Sequence, residues 1–246
     1  MLLLPELWME LVAVLALSIM LSLLAYRMDL LTKSGCISAA VVGIVIGGCG
    51  SLSWLILLIV FTLIGFAATL VGLSKKREKG LQEGTHGERN YKNVIGVALP
   101  CCLFAVINIA TGDSHYYYMM IGYISTIAVA AADTAASELG VKDEKVFLIT
   151  TFKRVEPGTD GGISPLGTLV SLMASAVVTL IGWAVINLSL NDPFVVIPIA
   201  AGFIGCMLDS YVGATFETWG YINKYGNNCL TGIAGAAIGV LIAMLL

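Results

Sequence analysis

Charge is scarce in this chain. Asp, Glu, Lys and Arg make up 12% of its 246 residues, where soluble domains average about 25%. Hydrophobic residues reach 58%, above the usual share of about 45–50%. Both deviations name lipid as the solvent and exclude an ordinary soluble domain. The net charge of −3 offers no basic surface, which excludes a nucleic-acid partner. Histidine is nearly absent, with His86 and His115 alone. The six cysteines form no C-x-x-C pair and sit at no metal spacing from those histidines, so zinc and dithiol chemistry find no motif. They lie mostly in or beside apolar runs, where cysteine acts as a small buried hydrophobe. No basic segment precedes the first apolar run, so that run is expected to stay as a membrane span and not to serve as a signal peptide. No G-K-[ST] follows any glycine cluster, which excludes a Walker-type phosphate loop.

Long apolar runs are abundant. A helix needs roughly 20 apolar residues to cross a bilayer. Eight candidates follow, at about 7–26, 36–50, 52–73, 94–111, 117–138, 165–190, 193–215 and 230–246. The second is short and rich in glycine, so seven or eight spans are expected, and 36–50 with 52–73 is open to a re-entrant reading. The eighth, TGIAGAAIGVLIAMLL, is rich in small residues, which favours close helix approach. Oligomeric state is left open, a homo-oligomer included. The expectation is one all-α, polytopic transmembrane domain over residues 1–246. With eight spans, all 13 Lys and Arg fall in the odd-numbered connections. The positive-inside rule places those connections in the cytoplasm and both termini outside. The outer loops are short, with His115 and Tyr116, Tyr117 and Tyr118 reading as an interfacial belt.

Polar chemistry gathers on the cytoplasmic side. Asp133 follows an unbroken apolar helix, with Ser137 one turn further on the same face. A carboxylate near membrane depth is costly and is a functional candidate by default; the alternative is a helix-end aspartate reaching water. In KRVEPGTDGGISPLGT, residues 153–168, Gly158, Gly161 and Gly162 let the backbone turn and expose amides. With Lys153, Arg154 and Thr159 nearby, the run suits a phosphate cradle. Asp160 is placed to hold a divalent cation, and Ser164 to cap the sixth helix. Asp209-Ser210 with Glu217 echoes Asp133-Thr134 with Glu138, either a weak parallel repeat or chance. If the echo is structural, it sets two aspartates at one depth, a pairing that suits magnesium with substrate phosphates. Arg89 and Asn93 are expected to point inward where the fourth span begins. Asn227 and Asn228 are expected mainly as caps, with ligand contact as the alternative. His86 reads as loop.

The strings DTAASELG, VEPGTDGGISPLGT and DSYVGATFE, in this order and spacing, resemble the integral membrane family of plant phytyl-phosphate kinase, which has many archaeal and bacterial members. The likeness covers essentially the whole chain. It implies a membrane enzyme, expected here in a prokaryotic plasma membrane, that moves a phosphoryl group from CTP or another nucleoside triphosphate to an isoprenoid monophosphate. Positions matching the family are Asp133, Ser137, Glu138, Gly158, Thr159, Asp160, Gly161, Gly162, Ser164, Asp209, Ser210 and Gly213. The D-x-x-A-S-x-x-G pattern is also faintly similar to dolichol kinases and CDP-diacylglycerol synthases. One departure is RNYKNVIGVALP, where many members read R-x-x-Q-V-L-A-N-G.

The resulting expectation is a lipid-phosphate kinase. Asp133, Asp160 and Asp209, with Glu138 and Glu217, are expected to hold magnesium. Lys153 and Arg154 serve the reaction, and Gly158, Thr159, Gly161, Gly162, Ser164, Ser137, Arg89 and Asn228 contact phosphates or nucleotide. The alternatives are a cytidylyltransferase acting on a lipid phosphate and a transporter of a phosphorylated lipid.

Overall fold

The computed structural model describes residues 4–82, 87–186 and 190–246, so His86 lies outside the described residues. Among the described residues, apolar runs become eight α-helices: α1 (Leu4–Arg27), α2 (Lys33–Cys49), α3 (Leu52–Glu78), α4 (Tyr91–Thr111), α5 (Tyr116–Leu139), α6 (Pro165–Val185), α7 (Val196–Val212) and α8 (Lys224–Leu245). Seven of them, α7 counted with its flanking turns as Pro193–Glu217, are long and apolar enough to cross a membrane. α2, with 17 residues, is about 26 Å long, just short of a hydrocarbon core of about 30 Å.

Small polar residues start these helices by accepting their free first-turn amides. Thr32 accepts from Gly35, Ser51 from Trp54 and Ser164 from Gly167, while Asn90 and Asn93 form a reciprocal capping box. Asn223 caps α8. That last cap corrects the expected start near residue 230: Asn227 and Asn228 lie inside the helix and cap nothing.

The most buried helix is α5, and α3, α4, α6, α7 and α8 pack around it. Apolar attraction does not drive helices together in lipid, so close contact and shape must. Gly235 and Gly239 of α8 bring that helix against Val129 and Ser125, and Gly202 and Gly205 of α7 meet Ala128 and Val129. Trp54 stacks on Tyr123 with centroids 4.3 Å apart, and the Tyr123 hydroxyl donates to the Trp54 carbonyl at 2.6 Å. The expected belt at Tyr116–Tyr118 is partly turned inward, and the Tyr117 hydroxyl donates to Asp192 at 2.9 Å.

Between α5 and α6 the chain adds a small antiparallel sheet, with β1 (Val146–Leu148) between β2 (Arg154–Val155) and β3 (Gly162–Ile163). Asp143 ties this excursion to α6: its carboxylate accepts from the amides of Lys145 at 2.9 Å and Leu166 at 3.2 Å. Those two bonds hold its carboxyl below the usual carboxylate range. A lowered folded-state value gives stabilisation that is present above the ordinary aspartate range and lost as pH falls through the folded value. Amide exchange at Leu166, corrected for its intrinsic pH dependence, should therefore accelerate on acidification, and Asp143→Asn should flatten the response.

Candidate functional site

A cavity of about 290 Å³ lies among α1, α2, α3 and α4. Its walls are mostly apolar, with Leu21, Val42, Leu58, Phe66 and Val97 among them beside Ser18, Ser22 and Thr62. A charged, polar end is formed by Arg89, Asn93, Asp133, Thr134, Ser137, Lys224 and Asn228. Helical spacing puts Asp133 and Ser137 one turn apart on α5. Arg89 is set by its backbone: its amide donates to the Leu30 carbonyl at 2.9 Å, and its carbonyl accepts from Thr32 at 3.0 Å. Gly35 makes this possible, because a Cβ there would strike the Arg89 carbonyl.

Behind the polar end, Asp133 and Asp209 lie side by side and act on each other electrostatically. A space of about 10 Å³ beside them, lined also by Thr126, Asn228 and Thr231, has room for about one water. The Thr231 hydroxyl lies 3.0 Å from Asp209 Oδ1. Asn227 is buried and its Nδ2 donates to the Asp209 carbonyl at 3.1 Å and to Glu217 at 3.3 Å. Glu217 in turn feels the charge of Asp160. Gly161 seats the 158–162 loop on this end of α7, since a Cβ there would strike Ala214. The outcome is an acidic file running from the cavity along the end of α7 to the loop, with Lys224 acting electrostatically on Asp133, Asp209 and Glu217. A π-helical turn, Gly213–Glu217, carries Glu217; such turns are frequent at functional sites.

Paired carboxylates this close repel unless a proton or cation lies between them. Among the described residues no three His, Cys, Asp or Glu side chains gather as a preformed metal cage. The pair still fits magnesium, which is often held by one or two carboxylates plus substrate phosphates.

The family described as integral membrane protein DUF92 matches residues 16–242, nearly the whole chain. The chain belongs to this family. The uncharacterized membrane protein MJ0933 of Methanocaldococcus jannaschii is 37% identical over 223 residues, which are 90% of each chain. The uncharacterized membrane protein sll0875 of Synechocystis is 30% identical over 249 residues, 97% of this chain and 95% of its own. The chloroplastic protein VTE6 of Arabidopsis thaliana is 29% identical over 208 residues, 80% of this chain and 61% of that protein. No solved structure matches. The whole-chain family likeness read from the three strings is borne out.

In this DUF92 chain the sequence-predicted residues divide into groups. Asp133, Ser137, Arg89 and Asn228 meet at the cavity, and Asp209, Glu217 and Asp160 follow in the file. Glu138 points elsewhere. It is buried and ion-paired to Arg89 at 2.7 Å and Lys76 at 3.0 Å, so it holds cations of the chain itself. The 158–164 run spends much of its hydrogen bonding internally: the Thr159 amide donates to the Glu156 carbonyl, the Gly162 amide to the Thr159 carbonyl, and Ser164 caps α6. Gly158, at φ +92°, packs on Leu81. Lys153 and Arg154 are exposed on the hairpin, where Arg154 donates to the Glu144 carbonyl at 3.3 Å. Sequence reasoning missed Lys224, Thr134 and Thr231 as site residues. The signal was available: Lys224, Asn228 and Thr231 share one helical face once Asn223 is taken as the cap.

Proposed function

We propose that this protein is an isoprenoid-phosphate kinase, transferring a phosphoryl group from CTP or another nucleoside triphosphate to a prenyl monophosphate at the membrane surface. The observation that carries the reading is the cavity's polarity: a mostly apolar chamber among helices with Arg89, Lys224 and Asp133 at a charged end. That chamber matches an apolar chain bearing an anionic head, and the resemblance to the phytyl-phosphate kinase family supports the same acceptor.

In this reading Arg89 and Lys224 hold the acceptor phosphate, and Asn93, Ser137 and Asn228 orient it. Asp133 and Asp209 would hold magnesium, which when bound neutralises charge on the nucleotide phosphates. An acceptor oxygen forms the new bond to the γ-phosphorus as the bond to the nucleoside diphosphate breaks. Such transfer is mostly positioning and charge stabilisation, and a phosphate acceptor needs no strong base. Asp160, Glu217, Thr159 and the exposed Lys153 and Arg154 meet the nucleotide from the aqueous side.

The test is incubation of the purified protein with geranylgeranyl or phytyl monophosphate, magnesium and γ-labelled CTP or ATP. Label is expected in a prenyl diphosphate. Release of labelled pyrophosphate with a CMP-lipid product would make it a cytidylyltransferase instead. No nucleotide turnover with any acceptor would overturn the enzyme reading.

A further inference from the structure

The helices around the cavity form an incomplete ring. α1 packs along α2, α2 along α4, α4 along α5, and α5 along α3, with a smaller contact between α2 and α3, but α1 and α3 touch little. They are pinned at the end away from the basic residues, where Glu10 of α1 accepts from the Leu52 amide at the start of α3 at 2.8 Å. Cavity-lining residues on α1 run from 17 to 25, about 12 Å of helix, and Met28 follows just past its end. On α3 they run from 55 to 66. Leu24, Met28 and Leu63 line the cavity and yet are 51%, 60% and 63% exposed on the outer surface. A residue that does both stands at the edge of an opening, and this opening faces lipid.

We propose that the gap between α1 and α3 is a lateral portal through which a single-chain lipid phosphate dissolved in the bilayer enters. The proposal rests on the function proposed above for its choice of lipid. Three features select that occupant. The walls are mostly apolar, with the small hydroxyl residues Ser18, Ser22 and Thr62 among them, so a hydrocarbon chain loses little on leaving the bilayer. The polar end carries Arg89 and Lys224 beside the single carboxylate of Asp133, so an anionic head meets two cations there. The chamber, at about 290 Å³, sits at the small end of ligand pockets, about 300–1,000 Å³, which suits one chain and not a two-tailed phospholipid. Entering sideways also keeps the chain out of water throughout, with only the head travelling along the interface to the basic end.

The experiment uses the full chain in phosphatidylcholine vesicles with a geranylgeranyl monophosphate carrying a diazirine at its far end. Photolabel is expected on residues 17–28 and 55–66. Unlabelled geranylgeranyl monophosphate should compete it away and geranylgeraniol, lacking the phosphate, should not. Leu63→Trp, a change at an exposed edge that the fold tolerates, should cut labelling about tenfold, because the larger ring narrows the opening. Leu103→Trp, on the lipid-exposed side of α4 outside the cavity, should leave it unchanged. Label spread evenly over the lipid-facing surfaces of α4 and α6, without competition, would overturn the portal. Unchanged labelling in Leu63→Trp would overturn it too. Label at the gap with no phosphoryl transfer would keep the portal and sink the kinase, whereas transfer with label elsewhere would do the reverse.

Discussion

Replacing Glu138 by glutamine is expected to destabilise the folded bundle by about 3–5 kcal/mol, the cost of breaking a buried ion pair from one side. The side chain is only 3% exposed and stands between Lys76 and Arg89, which are 14% and 21% exposed. Glutamine keeps the volume and one acceptor oxygen but removes the charge, so two half-buried cations lose their shared counter-ion. The backbone cannot relax to admit water easily, because Gly72 of α3 already lies against the Glu138 carbonyl. The loss should be read as a lowered melting temperature in detergent. Lys76→Gln should cost less, since Arg89 still neutralises the carboxylate. Equal melting of Glu138→Gln and the parent protein would mean that the ion pairs add nothing to the fold. The same substitution loosens the guanidinium of Arg89, which also donates to Thr69 at 3.3 Å, so a weakened hold on an anion at the cavity should accompany the weakened fold.

Glu138 also marks where the sequence stops being informative. It sits in the string that carries the family likeness, and nothing in that string tells a metal ligand from the anchor of two cations on other helices. Partners 49 and 62 positions away in the chain, Arg89 and Lys76, decide the matter. The spans themselves were legible, because lipid demands uninterrupted apolar length and leaves charges to the ends. Ser164 was legible as a cap for the same local reason that Asn223 should have been. The start of α8 was obscured by its own polarity: Lys224, Asn227 and Asn228 face the site and not lipid, so a hydropathy reading assigns the first turns to a loop. The three strands were hidden because runs of two or three residues carry no period-2 signal, and their pairing is set by contacts across the loop. The acidic file was half legible. Asp133 and Asp209 end apolar runs at matching depth, but the bridging role of Asn227 depends on how α7 and α8 meet.

Substituting Asp209 or Asp133 by asparagine is expected to separate activity from stability. On the proposed reaction, either change should lower transfer at least about 100-fold, the scale set by removing one group that stabilises charge in a transition state. The fold should be no less stable, and one carboxylate instead of two beside the same small space should relieve repulsion in a low-dielectric setting. Asparagine at 209 retains an oxygen for the Thr231 hydroxyl, now 3.0 Å from Asp209 Oδ1, and alters nothing on the backbone carbonyl that Asn227 reaches. A pair conserving structure alone would behave the opposite way, with melting temperature and any activity falling together. The measurement is therefore paired, thermal melting in detergent against labelled prenyl diphosphate formation, for each single variant and the double. If one magnesium ion bridges both carboxylates, the double variant should lose little more than either single, because groups acting as one unit are strongly non-additive. Losses that multiply would instead assign the two aspartates separate tasks, with Asp133 serving the acceptor cavity and Asp209 serving the file that leads through Asn227 and Glu217 toward Asp160.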